Sequence, residues 1–460
     1  MATTEKSPPT FPMPVAPARG KGFGLASVSP GWRLVLAVLG ITTLLWFLGR
    51  EEVAHAHAFW PWMGPSLLLS VWGVALMAII LLATARSRMI EPLFGGLDRA
   101  IRLHRQLAPL AVGAVVVHVI LLVPVVMEAG GSVGDLLIPF WSADAATAES
   151  LALIALLIWT GLAYAKWLSY EGWLSLHTLI GPIFLIGAGL SFLEEGTTIA
   201  AYEPLRFWMW FLLLVGLGAW IYRALLYRWV APRFNYSLQS LTQLEDDTLD
   251  ISLRPVDRRV LHEPGTFVFV NRPGQDRKGW ELHPFSISSS PTERDLRLSV
   301  RMAGDFTRRL TNLEPGEPVE VFGPFGGFTP HRYAGYRRLV CIGAGIGITP
   351  FLAMLRFEAT NNDFRRIWLW YVVRNEGAAP YDAELRQSVE EADSYVDYEL
   401  WDSSSRGRLT AAQVMEAVAP LDDYAVMLCG TPAFVEDMRR QFQSLGLSRD
   451  RIIAEDFRFR

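Results

Sequence analysis

Long apolar runs fill the first half of the chain, whereas apolar and polar residues alternate through much of the second half. A membrane-spanning helix needs roughly 20 mostly apolar residues. Six runs approach or exceed that length, at residues 33–49, 66–86, 106–127, 150–167, 173–193 and 206–226. The pattern therefore predicts an all-α membrane domain of six helices, followed by a soluble region that begins near residue 235.

The soluble region contains two kinds of predicted strand. In its first part, "TLDISLRPV", "TFVFVNRP", "LRLSVRM" and "PVEVFGPFG" alternate apolar and polar residues between turns, which predicts a small antiparallel β-barrel. In its last part, the buried runs "RRIWLWYVV" and "YAVMLCG" are separated by helical segments, which predicts a parallel sheet in an α/β domain. The predicted organisation is a tail over 1–30, the membrane domain over 31–230, the barrel domain over 235–335 and the α/β domain over 336–460.

Charged residues in the loops orient the membrane domain. One set of loops is basic and carries Arg86, Arg88, Arg99, Arg102, Arg105, Lys166, Arg223, Arg228 and Arg233. The other set is acidic and carries Glu51, Glu52, Glu128, Asp135, Asp144, Glu149, Glu194, Glu195 and Glu203. Because basic loops stay on the cytoplasmic side, both termini and the soluble region are predicted to be cytoplasmic.

Composition narrows the class of protein further. The tail is rich in proline and small residues, so we expect it to be disordered and not to be a cleaved secretory signal. The chain has only two cysteines, Cys341 and Cys429, which argues against a disulfide framework and suits a reducing compartment. A net charge of −4 gives no indication of nucleic-acid binding.

Histidines inside the apolar runs are the first candidates for chemistry. His104 and His118 are fourteen residues apart, so they share one helix face and stand roughly 21 Å apart along its axis. His177 lies near the cytoplasmic end of the fifth predicted span, at a depth similar to that of His104. Two neutral imidazoles from separate helices are what a bis-histidine haem requires, so this pair is predicted to ligate iron. The alternative is a pair of polar side chains that hydrogen-bond or snorkel near helix ends.

His118 has no obvious counterpart. A second haem near the outer face would need a ligand thirteen or fourteen residues after His177, where Leu190 and Ser191 stand. His118 is therefore a spare polar group, a residue of an acceptor pocket, or a ligand whose partner is unexpected. His55 and His57, in the segment "EEVAHAHAFWPW", could supply a second ligand or a metal site, although an exposed polar loop is the simpler interpretation.

Four short stretches of the soluble region also indicate chemistry. "HPFSISSS" ends a strand where an aromatic ring and a hydroxyl could meet a flat ring system. "RMAGDFTRRL" and "GAGIGITP" each place glycine at a predicted helix start, where free N–H groups and the helix dipole favour a phosphate. "LCGTP" puts Cys429 at the end of a parallel strand, the edge where such sheets bind ligands. A glycine-rich turn alone could instead serve tight packing of a helix on a strand, but all four occur in order.

With these motifs the chain resembles the ferric reductase and NADPH oxidase superfamily over residues 33–460, and its soluble half resembles ferredoxin–NADP reductase flavoproteins. The resemblance implies that "HPFS" lines the flavin ring of FAD, through His283, Pro284, Phe285 and Ser286. It implies that Gly304 and Thr307 hold the FAD phosphates. It also implies that the G-x-G-x-G-x-x-P element cradles the nicotinamide dinucleotide, through Gly343, Gly345, Gly347, Thr349 and Pro350.

The resemblance assigns catalytic roles near the end of the chain. Cys429 and Gly430 would lie beside the nicotinamide C4. Glu455 and Phe457 match a terminal Glu-x-aromatic element, in which Phe457 would stack on the flavin, with Phe459 as the fallback and simple packing as the alternative. The family carries two histidines in each of two spans, and this chain keeps three of the four, which weakens the case for an outer haem.

The implied activity is electron transfer from cytoplasmic NAD(P)H through FAD and haem b to an acceptor at the outer face of a bacterial inner (plasma) membrane. Dioxygen, giving superoxide, and a ferric chelate are the candidate acceptors. Arg374, at the end of a strand, could pair with a 2′-phosphate and favours NADPH over NADH. The alternative function is a membrane subunit that delivers electrons to quinone or to a partner protein, which the sequence does not identify. A purely structural membrane protein is disfavoured by the dinucleotide motifs.

Overall fold

The computed structural model describes most of the chain, with gaps. The described residues are 28–54, 60–128, 130–134, 153–158, 160–162, 170–191, 198–245, 247–273, 282–302, 304–330, 336, 338–361, 366–391, 395–419 and 423–456. The chain divides into two compact units, with the boundary between Ala231 and Pro232.

The first unit consists of helices. They are α1 (Pro30–Ala54), α2 (Trp60–Ala83), α3 (Glu91–Phe94), α4 (Leu97–Glu128), α5 (Tyr170–Ser191), α6 (Thr198–Ala201), α7 (Glu203–Ile221) and α8 (Tyr227–Val230), with a π-helical turn at Tyr222–Leu226 between the last two. Five helical stretches of the described chain are long and apolar enough to cross a membrane: Pro30–Arg50, Pro61–Ala83, Leu97–Glu128, Gly172–Leu190 and Glu203–Val230.

Five of the six predicted spans thus have a helical counterpart. Half of the fourth predicted span, 150–167, lies outside the described residues, and its described residues, 153–158 and 160–162, are helical. The third prediction was too short at its start, because α4 begins at Leu97 and not near residue 106. As a result His104 and His118 lie on one continuous helix.

Helix α2 lies at the centre of the membrane unit. Of the candidate spans it is the most buried within the protein. Glycines allow its neighbours to approach closely: a methyl group on Gly73, Gly181 or Gly216 would lie 2.5–2.8 Å from a side-chain carbon of a facing helix. Because lipid is as apolar as leucine, such close packing is what holds membrane helices together.

The second unit begins with a six-stranded antiparallel sheet. Its strands are β1 (Arg233–Gln243), β2 (Thr248–Pro255), β3 (Phe267–Asn271), β4 (His283–Ser286), β5 (Leu296–Arg301) and β6 (Pro318–Phe325), in the order β4-β3-β6-β1-β2-β5. The edge strands meet through one isolated bridge, between Ile287 and Leu298. The predicted antiparallel β domain is therefore present. In the described residues, that single bridge is the contact that closes the sheet towards a barrel.

A five-stranded parallel sheet follows. Its strands are β7 (Arg338–Ala344), β8 (Arg366–Val373), β9 (Val396–Asp402), β10 (Tyr424–Gly430) and β11 (Ile452–Asp456). The helices of this second unit are α9 (Asp305–Arg309), α10 (Thr349–Asn361), α11 (Asp382–Glu391), α12 (Ser403–Arg406), α13 (Ala411–Val418) and α14 (Pro432–Ser444). The strand order β11-β10-β7-β8-β9 places the first strand in the middle, as in doubly wound nucleotide-binding folds.

Candidate functional site

The rings of His104 and His177 face each other in the membrane unit. Their centroids are 5.9 Å apart and their planes are inclined by 73°. His104 lies on α4 and His177 on α5, so the pair joins two helices that are far apart in sequence. Their spacing in the sequence predicts that the two residues lie at similar depth, and the structure brings them together.

The hydrogen bonds of this pair suit metal ligation. Nδ1 of His104 lies 3.2 Å from the carbonyl oxygen of Ile80 on α2, which accepts its proton and leaves the Nε2 lone pair free. Among the described residues, the buried Nδ1 of His177 has no hydrogen-bond partner. Trp173, one turn earlier on α5, stacks on the His177 ring at 4.7 Å and fixes its plane.

These distances allow a test for haem. Two imidazoles bound to opposite sides of one iron, with metal–nitrogen bonds of about 2 Å, have ring centroids roughly 6 Å apart. The observed separation is 5.9 Å. Nδ1 of His104 is bonded to a backbone carbonyl, and the buried Nδ1 of His177 has no partner in the part of the chain that the structure describes, so these two residues fit a bis-histidine haem.

His118 is held in a similar way to His104, nearly four helical turns further along α4. Its Nδ1 lies 2.9 Å from the carbonyl oxygen of Ser66 and 2.8 Å from the Ser66 hydroxyl, which itself donates to the His118 carbonyl. The α2 acceptors Ile80 and Ser66 are fourteen residues apart, as are the two histidines. The described part of α5 near this depth, residues 186–190, offers only apolar side chains and glycine. His55 and His57 lie outside the described residues.

The "HPFS" and "GDFT" motifs contact each other in the antiparallel domain. The residues of "HPFS" form β4, which pairs with β3, so the motif is itself a strand and not merely the end of one. The His283 ring stacks on Phe306 with centroids 3.7 Å apart. Phe306 belongs to the "GDFT" motif, where Thr307 Oγ1 accepts from the Gly304 N–H at 3.1 Å and closes the turn into α9.

The glycine-rich turn packs against the end of strand β10. Gly345 has a φ of +56°, a conformation that glycine adopts readily, and no atom of the described residues would lie within 4 Å of a methyl group there. A methyl group on Gly347 would lie 2.6 Å from the carbonyl carbon of Cys429 and 2.8 Å from Cα of Gly430. The turn and the Cys429–Gly430 segment are therefore in direct contact, and Thr349 and Pro350 begin α10 immediately beyond.

This contact lies where ligands bind in such sheets. In the order β11-β10-β7-β8-β9 the direction of winding changes between β7 and β10, and the crevice outside the carboxyl ends of those strands is the usual binding position. A cavity of about 310 Å³ opens there. It is lined by Arg301, Ala344, Gly345, Ile346, Gly430, Thr431 and Pro432.

Arg301 is a residue that sequence reasoning missed. It ends β5 in the antiparallel domain, yet it lines the cavity formed by the glycine turn of the parallel domain. A cation beside a turn that leads into a helix suits a phosphate group. The sequence does place "LSVR" directly before "MAGDFT", but its alternating pattern marks Arg301 only as an outward-facing strand residue.

The remaining predicted residues fall on nearby elements. Cys429 is fully buried, and Glu455 lies opposite it in the β10–β11 register with 3% of its surface exposed. Arg374 is exposed and directly follows β8, beside the end of β9, where the Ser404 N–H donates to its carbonyl oxygen at 3.0 Å. Phe457 and Phe459 lie outside the described residues.

Comparison with protein families assigns each part of the chain separately. Residues 69–188 match the ferric reductase like transmembrane component. Residues 233–316 match an FAD-binding domain and residues 341–440 an oxidoreductase NAD-binding domain. Three successive matches thus fall within the membrane helices, the antiparallel domain and the parallel domain, in that order.

Individual relatives agree with these assignments. NADPH oxidase 1 of Mus musculus is 28% identical over 229 residues, which cover 45% of this chain and 37% of the relative. The ferredoxin reductase component of 3-ketosteroid-9-alpha-monooxygenase from Rhodococcus rhodochrous is 29% identical over 200 residues, covering 43% and 56%. These matches thus span between about a third and just over half of the relatives' own lengths.

A solved structure is similar in fold. The flavohemoglobin of Malassezia yamatoensis, determined with bound FAD and heme, matches with a TM-score of 0.51 and 19% identity, over 87% of this chain and 98% of that one. At this identity the likeness concerns the fold alone. The three family matches, and not this likeness in fold, are those of the ferric reductase and NADPH oxidase superfamily, and they support an NAD(P)H-dependent oxidoreductase with a transmembrane domain.

Proposed function

We propose that this protein passes electrons from cytoplasmic NAD(P)H through FAD and haem b to an acceptor at the outer face of a bacterial inner membrane. The observation that carries the proposal is the His104–His177 pair, 5.9 Å between ring centroids, in a chain that also has FAD- and NAD-binding domains. Dioxygen, which would give superoxide, and a ferric chelate are the proposed acceptors. The basic loops support the cytoplasmic placement of the soluble domains.

His104 and His177 would hold the haem. The carbonyl of Ile80 fixes the tautomer of His104, and Trp173 fixes the ring plane of His177. When bound, FAD would accept a hydride from NAD(P)H and haem would carry single electrons onward. His118 is the candidate ligand of a second haem, and its orientation by Ser66 supports that role.

The antiparallel domain would hold FAD through its two linked motifs. His283, Pro284, Phe285 and Ser286 would line the flavin ring, and Gly304 and Thr307 would bind the phosphates. The stacking of His283 on Phe306 supports this assignment, because it fixes the strand that meets the ring against the turn that meets the phosphates.

The parallel domain would hold the dinucleotide in the cavity at the winding reversal. The turn from Gly343 to Pro350 would approach the pyrophosphate, with Arg301 supplying positive charge. Cys429 and Gly430 would lie beside the nicotinamide, and Glu455 and Phe457 would complete the catalytic end. Arg374, exposed at the end of β8, would pair with the 2′-phosphate and favour NADPH over NADH.

The decisive experiment is a haem-to-flavin ratio with a reduced-minus-oxidised spectrum on the purified protein and on His177→Ala. The variant should lose the bis-histidine haem signal of this site and keep its FAD. Leu179→Ala, which removes an exposed side chain on the same helix, is the matched control and should keep both. A His177→Ala protein with a full complement of haem would contradict the proposed pairing.

A second candidate function is a membrane subunit that passes electrons to quinone or to a partner protein. The observation that favours it is the lack of a nitrogen ligand among residues 186–190, opposite the depth of His118, because one inner haem alone would leave a long gap to the outer face. Steady NADPH-driven reduction of dioxygen or of a ferric chelate by the purified protein would exclude this alternative.

A further inference from the structure

A line of charged side chains joins the antiparallel and parallel domains of the second unit. On the antiparallel side, Arg297 of β5 forms an ion pair with Asp250 of β2 at 2.9 Å. On the parallel side, Arg356 of α10 donates from Nε to Oε1 of Glu384 on α11 at 2.8 Å. Glu384 also lies 3.7 Å from Arg297, so the two pairs form one connected network.

Arg356 connects the domains directly. Besides its bonds to Glu384, its Nη1 donates to the backbone carbonyl of Ser288 in the antiparallel domain. Only 11% of the Arg356 side chain is exposed. A guanidinium at this depth is stable because it is paired with a carboxylate and bonded to a carbonyl at once.

The positions of its two ends give this contact a role in the proposed chemistry. Ser288 comes two residues after β4, the strand formed by the "HPFS" flavin motif. Arg356 lies on α10 two turns beyond Thr349, where the dinucleotide turn ends, which is roughly 10 Å along the helix. One guanidinium thus joins the strand proposed to meet the flavin to the helix proposed to face the dinucleotide.

We propose that Arg356 is a positioning residue, which sets the nicotinamide relative to the flavin for hydride transfer without touching either cofactor. This inference rests on the proposed function of the soluble domains, but not on the haem assignment. Glu384, which also lies beside Arg297, holds Arg356 in its orientation, while the Ser288 carbonyl is the point that Arg356 fixes. Without Arg356, both cofactors still bind, but the nicotinamide and flavin rings spend less time in the reactive arrangement.

The test compares the full-length protein with Arg356→Ala and Arg356→Lys by anaerobic stopped-flow reduction of FAD with NADPH, which gives NADP⁺ and reduced flavin. In Arg356→Ala the maximal rate should fall at least tenfold, while the NADPH concentration at half-maximal rate changes less than threefold. The long-wavelength charge-transfer absorbance between nicotinamide and flavin should weaken in parallel. Lysine, which keeps the charge but loses the planar fork, should give an intermediate rate.

Controls separate positioning from folding. Arg366→Ala removes an exposed arginine on β8 of the same domain, ion-paired with Asp397, and should reduce flavin at the wild-type rate. Glu384→Gln keeps the shape of the Arg356 partner and removes its charge. Glu384→Gln should also reduce flavin more slowly than the wild type. If Arg356→Ala fails to retain FAD, the rate of Glu384→Gln is used to test the positioning role of Arg356.

Wild-type rates and charge-transfer absorbance in Arg356→Ala, or in Glu384→Gln where alanine does not fold, overturn the inference. A loss that appears only as a higher NADPH requirement also overturns it, because that result would make Arg356 part of the binding site. If the wild-type flavin is not reduced by either nicotinamide cofactor, the proposed function itself fails. Because the readout is the flavin, loss of the haem assignment would leave the Arg356 result intact.

Discussion

Substitution of Gly347 by alanine tests the contact between the glycine turn and β10. The added methyl carbon would lie 2.6 Å from the carbonyl carbon of Cys429 and 2.8 Å from Cα of Gly430. Carbon atoms in contact are normally about 3.5–4 Å apart, so the turn or the strand end must move by about 1 Å. Both neighbours are backbone atoms of a buried strand, which cannot rotate away as a side chain can.

The expected cost in free energy is that of overpacking, because the added methyl group has no space. Overpacking in a well-packed region costs about 1–3 kcal/mol. If the turn moves out of its proposed dinucleotide-binding position, that cost corresponds to a weakening of NADPH binding by about 5- to 150-fold. If the strand moves instead, the same free energy appears as lower stability of the parallel domain.

The two outcomes are separated by measuring the NADPH dependence of anaerobic flavin reduction together with the melting temperature. Gly377→Ala is the control in the same domain, since its methyl group would meet only the Asn375 side chain, at an ordinary 3.5 Å. Unchanged NADPH dependence combined with an unchanged melting temperature in Gly347→Ala would refute the described packing of the turn.

Three further predictions concern other parts of the second unit. In steady-state kinetics, Arg374→Ala should raise the KM for NADPH by about tenfold and leave the KM for NADH unchanged. The reason is that one charge-assisted hydrogen bond contributes about 1.5 kcal/mol. Equal effects on both cofactors would contradict the proposed contact of Arg374 with the 2′-phosphate. Burial lowers the pKa of His262, more than its two backbone carbonyl neighbours raise it. The unfolded chain therefore binds the proton first below about pH 6.5, so stability should fall from pH 7 to pH 5, and His262→Gln should flatten that dependence in thermal melts. Burial also raises the pKa of the Cys341 thiol, so iodoacetamide at pH 8 should label it far more slowly in the folded protein than in urea, as followed by mass spectrometry.

The elements that the sequence predicted well are those with a strong local pattern. Five of the six apolar windows of the first half correspond to long helices in the described residues, and the alternating segments correspond to strands of the antiparallel sheet. The glycine-rich turn after β7 could be recognised because three glycines occur within eight residues, directly after an apolar strand. Such features depend on neighbours along the chain, which is why a single sequence reveals them.

Features that depend on distant neighbours could not be predicted in this way. Nothing in the sequence indicates that Ile80 and Ser66 would present carbonyl oxygens to histidines on another helix. The contribution of Arg301 to the cavity of the other domain depends on how two separately formed sheets meet. The start of α4 was also missed. Charged residues between 97 and 105 interrupt the apolar pattern, although the helix extends towards the N-terminus from the apolar window that begins at residue 106.

The matched spacing of α2 and α4 has a consequence for how this domain can change in evolution. Each residue of an α-helix advances the side chain by about 100° around the axis. Deleting or inserting one residue between His104 and His118 would turn one imidazole away from its carbonyl while the other stayed in place. The spacing of the histidines on α4 and the spacing of their carbonyl acceptors on α2 must therefore stay equal. Single amino-acid substitutions can accumulate between the histidines, but a change in length survives only if the facing helix changes with it.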